Sequence, residues 1–227
     1  MAYRYAGAAR RYVDREGLAG AFRGWIMDLR RSKVRLSRAL GVALTPQAAR
    51  VMERRVTRPG QHGRKGARDT DYKRRLLEKQ RLRAQYNIGE RRLRRAMKRA
   101  VRRPGRTGEM LLSDLESRLD NLVLRAGFAP TIYQARQAVT HGHIRVDGHK
   151  VDKPAYQLRP GQVIEVAPRS KGKTPFNIAA TGEYAAAHPA YLQVDQRALR
   201  AQLLRFPTRQ EIPVICEEQL VVEYYAR

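Results

Sequence analysis

The chain carries 47 Lys and Arg against 21 Asp and Glu over 227 residues, a formal charge of +26, and its 42% hydrophobic content is enough to bury the core of one or two domains. A single cysteine, Cys216, excludes an intrachain disulfide framework and any cysteine-built zinc cluster within one copy of the chain. No run of about 18 apolar residues is present to read as a membrane span.

Charge is unevenly spread. Residues 1–110 hold 32 Lys and Arg against 9 Asp and Glu, whereas residues 111–227 hold 15 against 12. Like charges this dense repel within a compact fold and cannot be buried unpaired, so the first half calls for an external polyanion. The bias is to Arg, whose planar fork pairs bidentately with phosphate, and this points to RNA or DNA. Residues 1–32 are left unassigned. They lack the apolar stretch of a secretory signal, and Asp14, Glu16 and Asp28 weaken a transit-peptide reading.

From Asp71 the pattern predicts a helix with Tyr72, Leu76, Leu82 and Tyr86 on a rough apolar face and Lys73, Arg74, Arg75, Lys79, Arg81 and Arg83 over much of the rest. Asn87 and Gly89 end it. A second helix starts at Glu90, with Leu93, Met97, Ala100 and Val101 on one stripe. Its other faces are basic: Arg91, Arg92, Arg94, Arg95, Lys98, Arg99, Arg102 and Arg103 follow with no acid after Glu90. Pro104-Gly105 then breaks the chain.

The next segment is more neutral. Leu111, Leu115, Leu119 and Leu122 predict one apolar helical stripe ending at Gly127. Thr131 and Gln134 form a capping-box pattern that opens a helix through Val139, stopped by Gly142. The period then drops to two. Ile144 and Val146 alternate with polar residues, Asp147-Gly148 is a type I′ hairpin dipeptide, and Val163, Ile164 and Val166 give a further strand after the Pro160-Gly161 turn. Residues 169–194 read as a linker, the tail from Asp195 through Leu204 as helical, and Leu220 to Tyr225 as apolar enough to dock. The expected fold class is α+β: a basic, mostly helical domain over residues 33–110, completed by 195–227, around short helices packed on a small antiparallel sheet at 111–168.

Several motifs are shared with a known family. They are Arg58-Pro59-Gly60-Gln61-His62-Gly63, Asp71-Tyr72-Lys73 followed by residues 77–83 (L-E-K-Q-R-L-R), residues 116–121 (E-S-R-L-D-N), Gln134-Ala135-Arg136-Gln137 and His141-Gly142-His143-Ile144. In order and spacing the chain resembles the bacterial small-subunit ribosomal proteins S-four from about residue 33 to 227. The resemblance implies that the 111–168 unit is the small RNA-binding module named after that family, inserted into the helical domain. It further implies a primary binder of small-subunit ribosomal RNA that docks early at a multi-helix junction in the 5′ domain, cytoplasmic and within the ribosome. Contact with neighbouring protein S-five, a place lining the messenger entry channel, an influence on decoding accuracy and, as in some relatives, binding to its own operon messenger are also implied. Many relatives carry a zinc-binding cysteine cluster; its first two positions here would be Val34 and Ser37, so no metal is expected. Met27 is an expected alternative start.

The candidate RNA-binding residues of the basic domain are Arg54, Arg55, Arg58, Gln61, His62, Lys73, Arg74, Lys79, Arg81, Arg83, Arg92, Arg95 and Arg99. Glycines 60 and 63 let backbone approach phosphate closely. In the module they are Arg118, Arg125, Thr131, Tyr133, Gln134, Arg136, His141, His143, Arg145 and Lys150. These sets suit a folded RNA read by shape, 2′-hydroxyl and phosphate, and no aromatic platform for stacking single-stranded bases is visible. His141 and His143 alone make a poor metal site. Arg118-Leu119-Asp120 matches a catalytic triplet of pseudouridine synthases, yet it lies inside an amphipathic helix and too little chain follows for a catalytic domain. No catalytic residue, cofactor, membrane contact or small-molecule substrate is expected. An RNA-modifying enzyme and a sequence-blind nucleic-acid binder stand as the alternatives.

Overall fold

A computed structural model describes residues 32–61, 63, 70–184 and 188–226. His62 and the expected Met27 start lie outside them. The chain divides into two compact units, residues 1–67 and 68–227.

In the first unit, α1 (Lys33–Leu40) and α2 (Pro46–Arg54) pack through Leu36, Leu40, Leu44 and Ala48. Thr45 caps α2 by accepting from the Ala48 N–H at 3.2 Å, and Pro46 follows where its missing N–H costs nothing. Ser37, one of the positions aligned with a zinc cysteine, is buried and accepts from the Leu44 N–H at 3.1 Å, a structural role in the turn. Beyond α2 the Arg38 guanidinium grips the Thr57 carbonyl at 2.8 Å. The chain then folds so tightly that a Cβ on Gly63 would lie 1.9 Å from the Arg58 carbonyl oxygen, which is why a side chain is excluded there.

The second unit holds two adjoining cores. The first is helical: α3 (Asp71–Gln85), α4 (Glu90–Val101), α5 (Thr107–Glu116) and α10 (Glu218–Tyr225) enclose Leu82, Tyr86, Leu93, Met97, Leu111 and Val221. The C-terminal α10 lies along α3, tied by Arg75 Nε to Glu223 at 2.7 Å. Cys216 joins this core, and burial, with Glu78 and Glu218 nearby, pushes its thiol up to about 12. At pH 8 only about one thiol in ten thousand would be ionised, since the thiolate fraction falls tenfold per unit of pKa above ambient pH. Ellman's reagent is therefore expected to leave the native protein unmodified and to titrate one thiol in denaturant. Rapid native reaction would show Cys216 accessible.

The second core belongs to α6 (Leu119–Arg125), α7 (Ile132–Thr140) and a five-stranded antiparallel sheet ordered β2-β1-β3-β5-β4. Its strands are β1 (Ile144–Val146), β2 (His149–Lys150), β3 (Val163–Val166), β4 (Leu192–Asp195) and β5 (Arg200–Leu203). The β1–β2 turn carries Asp147 and Gly148 at φ 49° and 78°, as type I′ geometry requires, and Asp147 Oδ1 accepts from the Val163 N–H at 2.8 Å.

Three sequence expectations need correction. The single stripe from Leu111 to Leu122 is two helices: the chain breaks at Ser117-Arg118, where Arg118 pairs in a bridge with Gln157 and the Ser117 carbonyl takes the Leu158 N–H. Leu111 and Leu115 serve the helical core, Leu119 and Leu122 the sheet core. The expected helix from Asp195 to Leu204 is instead the end of β4, a turn at 196–199 and β5, with Ala201 and Leu203 buried and Arg200 exposed, because the free edge of β3 offers backbone partners that an isolated helical turn lacks. The 169–194 stretch is likewise structured, holding α8 (Pro168–Lys171), α9 (Thr174–Ala180) and β4.

Candidate nucleic-acid interface

The interface is built around α4. Its turns bury Leu93, Ala96, Met97 and Ala100 on one side, and at 100° per residue this forces Arg91, Arg92, Arg94, Arg95, Lys98 and Arg102 outward. All six are exposed, and none makes an ion pair among the described residues. Val101, expected on the buried stripe, lies at its margin and is 63% exposed. Arg99 and Arg103 differ from the other cations: they lean to the α5 side, where Arg99 donates to the buried Asp114 at 2.6 Å and Arg103 approaches it at 3.9 Å.

The nearby acids are consumed by other cations. Glu90 takes Lys79 Nζ at 3.2 Å and Arg83 Nη1 at 3.3 Å, and Glu78 takes Arg81. Burial opposes the Glu90 charge, yet the Tyr225 hydroxyl together with Lys79 and Arg83 holds its carboxyl below the usual range. Asp120, the residue of the catalytic-looking triplet, is fully buried and bidentate with Arg118 at 3.0 and 2.6 Å. Glu116 accepts Arg125 Nε at 2.5 Å.

These pairs engage Lys79, Arg83, Arg118 and Arg125, four of the expected RNA-binding residues, within the fold. Lys79 is 2% exposed, with its ammonium 4.1 Å from the Tyr224 ring centre, and Arg83 donates to the Ile88 carbonyl and the Gln80 side chain. Such groups are committed to the fold, since unpairing a buried charge costs several kcal/mol, about 3–5. Arg136 is half-committed: it donates to the Asn87 carbonyl at 3.0 Å and sits 3.8 Å from Asp120. Arg74 is exposed and Lys73 half-buried in the first turn of α3.

In the other unit Arg54, at the end of α2, and Arg55, Arg58 and Gln61, in the segment that follows, are exposed. On the sheet-bearing half, Thr131, Tyr133, Gln134, His141 and His143 converge on a groove of about 340 Å³ along α7. Thr131 Oγ1 accepts the Gln134 N–H at 3.3 Å; the reciprocal half of the expected capping box is replaced by a Gln134 side chain turned to the groove. His143 Nδ1 lies 2.9 Å from Ser170 Oγ, and burial, then Lys173, His141 and Arg169, lowers its pKa, which favours the neutral ring. Arg145 and Lys150 are cross-strand partners beside it.

Comparison with known proteins follows the same division of the chain. Residues 28–116 match the family model of the ribosomal protein S4/S9 N-terminal domain, and residues 117–164 match the S4 domain, the second beginning at the Ser117 break. Small ribosomal subunit protein uS4 of Streptomyces griseus is 58% identical over 199 residues, covering 87% of this chain and 98% of that protein. The Streptomyces coelicolor protein of the same name is 59% identical over the same shares, and that of Micrococcus luteus 58% identical over 87% of this chain and 97% of its own length.

The chain belongs to the uS4 family. It is a structural constituent of the small ribosomal subunit and not an enzyme. No helix among the described residues is long and apolar enough to cross a membrane. Within this uS4 chain, the residues that sequence reasoning missed are those that chain distance hides. Lys173 and Phe176 complete the α7 groove from a stretch read as linker, and Tyr72 and Tyr224 meet with ring centres 6.1 Å apart. That pair qualifies the expectation that no aromatic platform for stacking single-stranded bases is visible.

Proposed function

We propose that the chain is a primary binder of folded small-subunit ribosomal RNA, with the exposed face of α4 as the main phosphate surface and the α7 groove and β1–β2 hairpin as a second contact. One observation carries this reading: the acids around α4 are engaged with cations of the fold, so Arg91, Arg92, Arg94, Arg95, Lys98 and Arg102 have no internal counter-charge among the described residues. Such a row gains affinity by releasing counterions from phosphates, and it positions the protein without reading base sequence. Early docking in the 5′ domain, contact with S-five, a place at the messenger entry channel, an effect on decoding accuracy and binding to the operon messenger are supported by the shared motifs at 58–63, 116–121 and 134–144.

The test is competition at fixed salt between folded small-subunit RNA and duplex DNA of equal length for the full chain. RNA is expected to win by at least tenfold, and the tagged chain to co-sediment with small subunits in cells. Equal competition by DNA would favour a sequence-blind basic binder and remove the assignment's support from binding.

A further inference from the structure

Asp114 differs from the other buried acids of the second unit in what it holds. Glu116 and Asp120 are fully buried and their arginines are buried with them, the side chains of Arg125 and Arg118 being 17% and 6% exposed. The Asp114 side chain is 4% exposed, yet the two guanidiniums on it, those of Arg99 and Arg103, are each 50% exposed. A buried carboxylate that anchors half-exposed cations fixes their inner edges and leaves their outer edges to solvent. Neither arginine side chain has another hydrogen bond or ion pair among the described residues.

The carboxylate is itself tied down. Oδ2 accepts from Arg99 Nη2 at 2.6 Å, while Oδ1 lies 3.9 Å from Arg103 Nη1 and accepts from Gln157 Nε2 at 2.7 Å. Gln157 Nε2 also reaches the Asp114 carbonyl at 3.2 Å, so the side chain is held from the sheet-bearing half as well. Each guanidinium carries five N–H donors in a rigid plane, and Asp114 occupies only part of them. Two cations on one anion leave a net positive charge. Arg91, Arg95 and Arg99 follow one another at successive turns on one flank of α4, roughly 6 Å apart along its axis, and Arg103 comes next in the turn beyond the helix end.

We infer that Asp114 is a positioning residue for RNA: it holds Arg99 and Arg103 in line with the free cations Arg91 and Arg95, their outer edges set to receive backbone phosphate. The inference rests on the RNA-binding reading above and gives a function to an acid that the cationic surface itself does not require. An arginine that grips phosphate loses side-chain freedom, and one already held by a carboxylate has lost it in the free protein. Asp114 also repels the polyanion, and the two effects have opposite signs. Repulsion from about 8 Å away in water amounts to about twofold in affinity and shrinks further in salt. Immobilising one rotamer-rich side chain amounts to about 2- to 12-fold, and here there are two.

Asp114→Asn separates the two effects, since it keeps an oxygen for Gln157 and removes the charge that holds the arginines. It raises the net charge by one, so loss of a passive acid would tighten RNA binding. Affinity of the full chain for the folded small-subunit transcript is expected instead to fall by about 2- to 12-fold, with the slope of log K against log salt unchanged because no phosphate contact is removed. Asp114→Glu, which restores a carboxylate, is expected to recover part of the loss. Arg99→Gln combined with Arg103→Gln should flatten the slope by roughly two units, and Asp114→Asn added to that pair should weaken binding no further.

Tighter or unchanged RNA binding by Asp114→Asn would overturn the inference, because the carboxylate would then act on RNA as a charge alone or not at all. An equal loss in the background lacking both arginines would overturn it too, by showing that Asp114 acts through the fold. A wild-type salt slope in the double arginine variant would show that the pair faces away from RNA. Absence of wild-type binding would instead remove the broader RNA-binding reading.

Discussion

Replacing Arg91, Arg92 and Arg95 together by Gln is expected to flatten the salt dependence of RNA binding by roughly three units of log K per log salt. These side chains are exposed on α4 and form no ion pair among the described residues. Each bound phosphate releases about 0.9 of a counterion on duplex nucleic acid, so raising salt from 50 to 200 mM should cost the variant roughly 40-fold less affinity than the wild type. Arg99 is left out of the set because its bond to Asp114 would mix loss of contact with loss of packing.

The free protein should respond in the opposite direction. Like charges at spacings of three and four, such as Arg91 with Arg95, destabilise a helix by about 0.2–0.5 kcal/mol per pair, and Gln is as good a helix former as Arg. The variant should therefore melt no lower than the wild type while binding more weakly. A wild-type slope would show that these cations face solvent in the complex, and a lowered melting temperature would show that they support the fold.

What could be read from the chain and what could not divide along sequence distance. The bounds of α3 and α4 follow from local period, and Leu93, Met97 and Ala100 are buried as their spacing predicts. The shared motifs located the family, and the Asp147-Gly148 turn gave the hairpin. What local pattern could not show is which cations are free. Lys79 and Arg99 occupy similar basic contexts, yet one is buried under Tyr224 and the other is 50% exposed beside Asp114. Their fates depend on α10 and α5, and the Arg75–Glu223 pair alone spans 148 positions.

The misread tail has the same cause. Residues 195–204 place Leu199 and Leu203 four apart, a spacing that suits a helix as well as a strand, and the open edge of β3 decides between them. Tyr72 and Tyr224 were both visible as residues and invisible as a pair.

Glu116→Ala is expected to lower stability by about 3–5 kcal/mol, a large part of the 5–15 typical of a folded domain. The carboxylate is fully buried where the helical and sheet cores meet. Oε2 accepts the Tyr86 hydroxyl at 2.6 Å from the first core, and Oε1 accepts Tyr191 at 2.8 Å and Arg125 at 2.5 Å from the second. Removing it strands a guanidinium and two phenols at once, whereas Tyr86→Phe drops a single bond to a charged acceptor, worth about 1.5–3 kcal/mol. Pairing Glu116→Ala with Arg125→Met should recover part of the loss, since the variant then leaves no buried charge alone.

The same joint sets an alkaline limit. Burial first, and then Glu116, raises the pKa of both Tyr86 and Tyr191 above the ordinary phenol value. A group whose folded pKa is raised stabilises the fold fully below its unfolded pKa of about 10, and that contribution is lost as pH climbs beyond it, because the unfolded chain releases the proton first. Urea unfolding followed at pH 8, 10 and 11 is expected to show stability falling above pH 10, less steeply in Tyr86→Phe. A loss under about 1 kcal/mol for Glu116→Ala, or an unchanged alkaline slope in Tyr86→Phe, would show that the two cores hold together without this carboxylate.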